Sequence, residues 1–297
     1  SNKMSFINEV NKGNNGGGTY FLTIILVFLS LLVGQSCVEL IAKYQLGYSL
    51  IDIPKTADLN AAFMLLLIPF SFIFLTLLLC IRYIHKRSVL SLFTSRKSFD
   101  WKRFIFAFLL WGGIMGAFLI GDILMGEPID LNIDTATFLP LLLISILILP
   151  IQTSAEELFF RGYLFQLFGL FFKKGWIAIL LSAGIFGMMH MANPEVLEIG
   201  SVLIIYYVGT GIFLGIIAHM DDGIELGMGY HAINNIFAAL ILTNNWQAFQ
   251  TDAIFIDNSP PSFGLETVLS LLIISPVILL IFSKVYKWKN WKQKMFN

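Results

Sequence analysis

Glu156, Glu157 and Arg161 sit close together in the stretch Ser154–Gly162, three charged side chains set in a largely apolar chain. An ionisable side chain at bilayer depth is costly unless it is paired or wetted, so three of them in one such stretch point to chemistry or to a partner. On a helix Glu157 and Arg161 are i and i+4 and can neutralise each other, whereas Glu156 points about 100° away. That spacing divides the charges into a supporting pair, Glu157 and Arg161, and a free carboxylate, Glu156. Downstream, His190, His231 and Asn235 bring two imidazoles and an amide into further apolar runs, with His231 and Asn235 one turn apart on a shared face. A carboxylate facing an imidazole suits water activation. A second imidazole and an amide suit donation to a developing oxyanion. Plainer readings apply to each residue alone: membrane histidines act as glue between helices, and Glu157 with Arg161 can account for the electrostatics by themselves. His219, beside an acidic loop, reads as structural, His85 as part of a solvated basic cluster, and Asn234 as a neighbour that could share the face of His231.

The elements that must hold these groups are membrane helices. Of the 297 residues, 57% are hydrophobic and 13% charged, and the mean hydropathy is +0.79, which excludes an ordinary soluble domain. The predicted fold is all-α and polytopic, with about eight transmembrane helices enclosing a polar intramembrane cavity. Apolar runs of near-spanning length cover 20–42, 61–84, 104–124, 138–152, 176–190, 199–218, 226–243 and 265–286. The fourth is short unless it continues past Pro150, which kinks or restarts a helix, into the Glu156 stretch and on to Phe172. Lys173, Lys174 and Gly175 then make the turn of an antiparallel hairpin. Glu156 lies 18 residues before Lys174 and His190 lies 16 after it, so both stand about 24–27 Å from the apex and can face each other.

Lys and Arg, counted by loop, give the orientation. Seven fall between Arg82 and Arg103, two at Lys173 and Lys174, and five between Lys284 and Lys294; the alternate loops hold only Lys43 and Lys55 and are otherwise acidic. Both termini are therefore expected in the cytoplasm, of a bacterial cell membrane. One turn dissents: Asp221, Asp222 and Glu225 lie on the cytoplasmic side without a base between them. Residues 1–18, rich in Gly and Asn, read as a flexible tail, 19–288 as one membrane domain, and 289–297 as a basic cytoplasmic tail. The 244–263 connection reads as irregular and external. Cys37 and Cys80 read as packing residues, and the pairs Gly112/Gly116 and Gly211/Gly215 as sites of close helix approach.

Glu156-Glu157-x-x-x-Arg161, Phe186-x-x-x-His190 and His231-x-x-x-Asn235, in that order on successive apolar segments, resemble the three motifs of the CPBP (Abi) family of intramembrane glutamic endopeptidases, relatives of the CAAX prenyl-protein endopeptidases. The likeness spans roughly residues 152–239, within a family-like core of about 137–243. It implies that Glu156 with His190 activates water, that His231 and Asn235 form the oxyanion hole, and that Glu157 and Arg161 support the site. It also implies an eight-span helical fold whose cavity opens toward the cytoplasmic leaflet. It does not imply a prenylated substrate.

The expected partners are a peptide or protein substrate, reaching the cavity from the membrane or the cytoplasm, and the lipid bilayer itself. Neither a cofactor nor a metal is expected, and zero net charge with no basic stripe argues against nucleic acid. Three rival readings stand beside the endopeptidase. A zinc metalloprotease lacks a His-Glu-x-x-His helix and would make poor use of Asn235. A non-catalytic peptide-binding, bacteriocin-immunity or regulatory scaffold would keep the pocket without the reaction. A transporter or proton relay would be expected to carry repeats or paired broken spans, and none stands out.

Overall fold

The computed structural model describes residues 5–297. Eight helical rods follow the eight apolar runs: α1 (Gly17–Leu46), α2 (Leu59–Tyr83), α3 (Trp101–Leu124), α4 (Phe138–Phe172), α5 (Gly175–Met189), then, after the short α6 (Pro194–Ile199), α7 (Leu203–Met220), α8 (Glu225–Ile236, prolonged by a wide turn over Phe237–Ile241) and α9 (Leu265–Val285). A final short helix, α10 (Trp291–Phe296), ends the chain. The expectation of about eight spanning helices is corrected in one respect. Six of the rods among the described residues are long and apolar enough to cross a bilayer. Helix α5, at 15 residues, is only about 22 Å long, short of a hydrocarbon layer about 30 Å thick. Helix α8 is similarly short, and nearly every residue from Glu225 to Ile233 is buried by its neighbours.

Pro150 does not break the fourth helix. The turn before it, Ile144–Ile148, is π-helical, and this widening makes room for the proline ring where an α-turn would clash with the carbonyl four residues back. A second wide turn, Leu158–Leu164, follows directly after the two glutamates and contains Arg161. Helix α4 therefore runs unbroken for 35 residues. It reverses at Lys173, which takes the left-handed conformation at φ 58°, and α5 returns antiparallel beside it.

Apolar side chains on the outer rods face outward, among them Phe21, Phe28, Leu109, Ile120, Leu272 and Leu280, as lipid-facing surfaces require. Inside, α3 meets α8 and α5 meets α7, each at a glycine. A Cβ on Gly229 would fall 2.1 Å from the carbonyl oxygen of Phe104, and one on Gly211 would fall 2.9 Å from the Cα of Ala183. Gly215 packs over Ile179 and Gly112 over Ile233, while Gly116 meets no neighbour, so the first predicted glycine pair works at one position only. Cys80 is buried in the packing as expected, but Cys37 is exposed. A small three-stranded sheet accompanies the helical bundle and brings order to the connection read as irregular. Strand β3 (Phe255–Asp257) lies between β1 (Ile129–Leu131), antiparallel to it, and β2 (Leu242–Asn244), parallel to it.

At the opposite end the acidic turn finds its bases elsewhere in the chain. Asp221 accepts from Arg96 Nη2 and Arg103 Nε, both at 2.9 Å, and from the Trp288 indole at 2.9 Å. Glu225 accepts from Arg96 Nε at 3.1 Å, and Asp222 from Lys294 Nζ at 2.9 Å. The 84–100 loop, the 221–225 turn and the C-terminal tail thus share one face.

The N-terminal stretch joins them, which corrects the expectation of a flexible tail for its described part; residues 1–4 lie outside the described residues. Ile7–Lys12 form a 3-10 turn, Phe6 and Val10 are buried, and the Phe6 N–H donates to Asp222 at 3.2 Å. His85 is corrected as well: it is fully buried, with Nδ1 2.8 Å from the Asn14 carbonyl and Nε2 2.9 Å from the Tyr163 hydroxyl. Burial, helped by the Arg87 charge and opposed by the Asn14 hydrogen bond, pushes this imidazole below its ordinary 6.5. Because the folded value is depressed, the unfolded chain binds the extra proton. His85 then contributes stability that is present above 6.5 and lost as pH falls toward the folded value. The thermal unfolding midpoint in detergent should fall between about pH 7 and about pH 5 in the wild type, and fall less in His85→Gln.

Candidate active site

Helix α4 presents Gln152, Glu156, Glu157 and Arg161 to the interior, α8 presents His231, Asn234 and Asn235, and α5 ends at His190. Glu157 is fully buried and Arg161 is 1% exposed. An Arg161 Nη2 lies 3.4 Å from Glu157 Oε1, and the guanidinium carbon lies 4.1 Å above the Phe186 ring centroid. The predicted pair exists, yet the same Glu157 Oε1 also receives His231 Nδ1 at 2.7 Å. Glu157 is therefore part of the site's wiring and not a neutralised bystander. Its carboxylate fixes the His231 ring so that Nε2 lies 3.4 Å from Glu156 Oε2, and one imidazole spans both glutamates.

Glu156 is on the open side, with 14% of its side chain exposed. Its Oε1 accepts from Gln152 Nε2 at 2.9 Å, and Gln152 Oε1 accepts from Asn235 Nδ2 at 3.1 Å. Gln152 is a residue that sequence reasoning missed. Its signal was available, since it lies four residues before Glu156 and so on the same helical face. Asn234, left open in the sequence, donates to Asn235 Oδ1 at 3.2 Å and accepts from the Trp111 indole of α3 at 3.1 Å. Trp111 carries no signal of its own in the sequence. It is one aromatic residue among many until α3 packs on α8.

His190 occupies a different setting from the one expected. It makes no direct hydrogen bond to Glu156 among the described residues. Its Nδ1 donates to the Phe186 carbonyl at 2.6 Å, which leaves Nε2 as the nitrogen with a lone pair. The ring is held between Phe186, centroids 4.3 Å apart, and Tyr207, 4.5 Å apart and nearly parallel. Tyr207 is in turn tied through its hydroxyl to Glu195. Since Phe186 carries Arg161 as well as His190, aromatic stacking links the two motifs that the hairpin brings level. The fourth histidine, His219, is structural as expected: its Nε2 donates to the Lys294 carbonyl at 2.6 Å. No group of three or more His, Cys, Asp or Glu side chains among the described residues is arranged to hold a metal ion.

The buried pair and the open carboxylate should separate on mutation. Removing one partner of a buried ion pair leaves the other charge uncompensated, so Glu157→Ala or Arg161→Ala should cost about 3–5 kcal/mol in stability, measured by reversible unfolding in detergent. Glu156→Gln, at a partly open position, should stay within about 1 kcal/mol of wild type in the same measurement.

Residues 135–237 match the family model described as type II CAAX prenyl endopeptidase Rce1-like. The uncharacterized protein YyaK of Bacillus subtilis (strain 168) is 34% identical over 169 residues, an alignment that covers 56% of this chain and 56% of that protein. The chain thus spans about half the length of this curated relative. No solved structure matches.

Proposed function

We propose, from the match of residues 135–237 to the family model of type II CAAX prenyl endopeptidases, that this multi-pass membrane protein is an endopeptidase. It hydrolyses a peptide bond inside its helical bundle with water activated by Glu156 and His190. The observation that carries the reading is the polar cluster in which Glu156, partly open and hydrogen-bonded by Gln152, shares His231 with the buried Glu157. A water held between the Glu156 carboxylate and the Nε2 lone pair of His190 loses a proton to Glu156 as its oxygen attacks the scissile carbonyl carbon. Negative charge builds on the carbonyl oxygen, where Asn235 supplies a donor and His231, protonated on both nitrogens with its Nδ1–H held by Glu157, supplies its Nε2–H. Collapse of the tetrahedral intermediate breaks the C–N bond. Glu156 returns the proton to the leaving nitrogen, releasing one fragment with a carboxylate and one with an amine.

Glu157 and Arg161 act through His231 by holding its ring. The substrate is a peptide or protein segment that reaches the cavity from the membrane or the cytoplasmic side, and both termini of the chain lie in the cytoplasm. Nothing in the cluster requires the segment to be lipidated.

Glu156→Gln, His190→Ala and His231→Ala should each abolish cleavage in proteoliposomes while leaving the purified protein folded. Asn235→Ala should lower kcat by about 10²–10³, the usual effect of losing one oxyanion donor. Cleavage should persist in the presence of a strong chelator. Substrates should appear as membrane or membrane-proximal proteins that are processed in cells carrying the wild type and intact in cells carrying Glu156→Gln. Cleavage by the Glu156 variant would remove the mechanism. A biological role that survives in that variant would identify a peptide-binding scaffold instead.

A further inference from the structure

Trp111, Asn234, Asn235, Gln152 and Glu156 form one unbroken line of hydrogen bonds across three helices, α3, α8 and α4, at 3.1, 3.2, 3.1 and 2.9 Å in turn. The two ends of this line differ in kind. An indole N–H can only donate, and an ionised carboxylate can only accept. Each amide between them must therefore turn its oxygen toward Trp111 and its nitrogen toward Glu156. If any one amide flipped, two N–H donors would face each other on one side of it and two oxygen acceptors on the other. A half-satisfied polar chain is costly where its members are largely shielded from water, as these partly buried bonds are.

We propose that Trp111 and Asn234 are positioning residues that set the direction of this amide chain, so that Asn235 presents its NH2 group, and not its oxygen, to the reacting carbonyl. The assignment rests on the endopeptidase reading above and deepens it. Asn235 Nδ2 has two protons: one is committed to Gln152, and the other is free for the oxyanion. Asn235 Oδ1 is occupied by Asn234 and so is kept away from the developing negative charge. The same direction makes Gln152 a donor to Glu156 Oε1, which leaves Oε2, the oxygen beside His231, to take the proton from water. Trp111 suits this role because its ring is stacked on Tyr230, with centroids 4.9 Å apart and planes 20° apart. Tyr230 is adjacent to His231 on α8. The stack holds the indole where its N–H can reach Asn234.

The test uses the full-length protein in lipid and two variants that keep shape while changing direction. Trp111→Phe keeps the stack and removes the donor. Asn234→Asp is nearly isosteric and still accepts from Trp111, but it cannot donate to Asn235, whose amide then turns over. Both should lower kcat by at least about tenfold with KM within about twofold, the pattern expected when an interaction made only in the transition state is lost. A second measurement needs no substrate. The protein has six tryptophans, and with 15N-labelled indoles the Trp111 resonance is the one that disappears in Trp111→Phe. Because the carboxylate polarises the chain from its far end, the Trp111 indole proton should move upfield in Glu156→Gln.

Wild-type kcat in either variant overturns the assignment, and so does an indole resonance unmoved by Glu156→Gln. A loss of activity that tracks lost thermal stability in both variants, with KM rising, also overturns it, since that is the outcome of packing alone. Should Glu156→Gln itself still cleave, the endopeptidase reading fails separately, and the indole measurement still decides whether the chain is directional.

Discussion

A fully buried guanidinium next to a fully buried carboxylate, Arg161 against Glu157, is the constraint around which the interior is arranged. Neither group can be left alone at that depth, because an unpaired buried charge costs several kcal/mol and the attraction between the two repays it only in good geometry. At 3.4 Å the ion pair is loose, and the Arg161 nitrogens make no directed hydrogen bond among the described residues. The shortfall is met by the face of Phe186 beneath the guanidinium, and by His231, which gives Glu157 its second partner. Helices α4, α5 and α8 are thereby fixed to one another at one level. The wide turn over Leu158–Leu164 lies at this point of α4, as such turns often do where a helix serves a site.

From that fixed point the chemistry is graded toward the open side. Glu157 has no exposure and holds His231; Glu156, one residue earlier and on another face, has some exposure and meets the nitrogen on the far side of the same ring. Two adjacent glutamates with the same intrinsic chemistry thus receive different environments, and different roles become available to them. His190 is attached by its ring faces rather than by a carboxylate: Phe186 and Tyr207 clamp it, and the Phe186 carbonyl selects its tautomer. At the end of the bundle where the 84–100 loop meets the C-terminal tail, the Arg96, Arg103 and Lys294 contacts to the 221–225 turn close the structure by the same rule. Charges there are paired across segments far apart in sequence.

Much of this was legible in the sequence wherever periodicity or local spacing carries the signal. The apolar runs located every long helix. The i, i+4 relation found the Glu157 and Arg161 pair, and equal distance from the Lys173 turn predicted that α4 and α5 would bring their motifs level. What the sequence could not reveal were contacts that depend on how two helices rotate against each other. His85 reads as one base in a solvated cluster until the N-terminal turn folds over it and Tyr163 meets its ring. Gly116 looks equivalent to Gly112 until only one of them meets α8.

The sequence by itself determined which residues are able to do chemistry, the order of the helices that carry them, and the helical faces on which Glu156, Glu157 and Arg161 lie, because these follow from the helical repeat and from the cost of charge in an apolar medium. Tertiary structure alone decided which atoms meet. Glu157 takes His231 as well as Arg161, Gln152 rather than His190 bonds to Glu156, and Trp111 reaches Asn234 across more than a hundred residues of chain. The reason is steric as much as electrostatic. Gly229 lets α8 approach the backbone of α3 more closely than any side chain would permit, and at that distance the indole, the three amides and the carboxylate come into register.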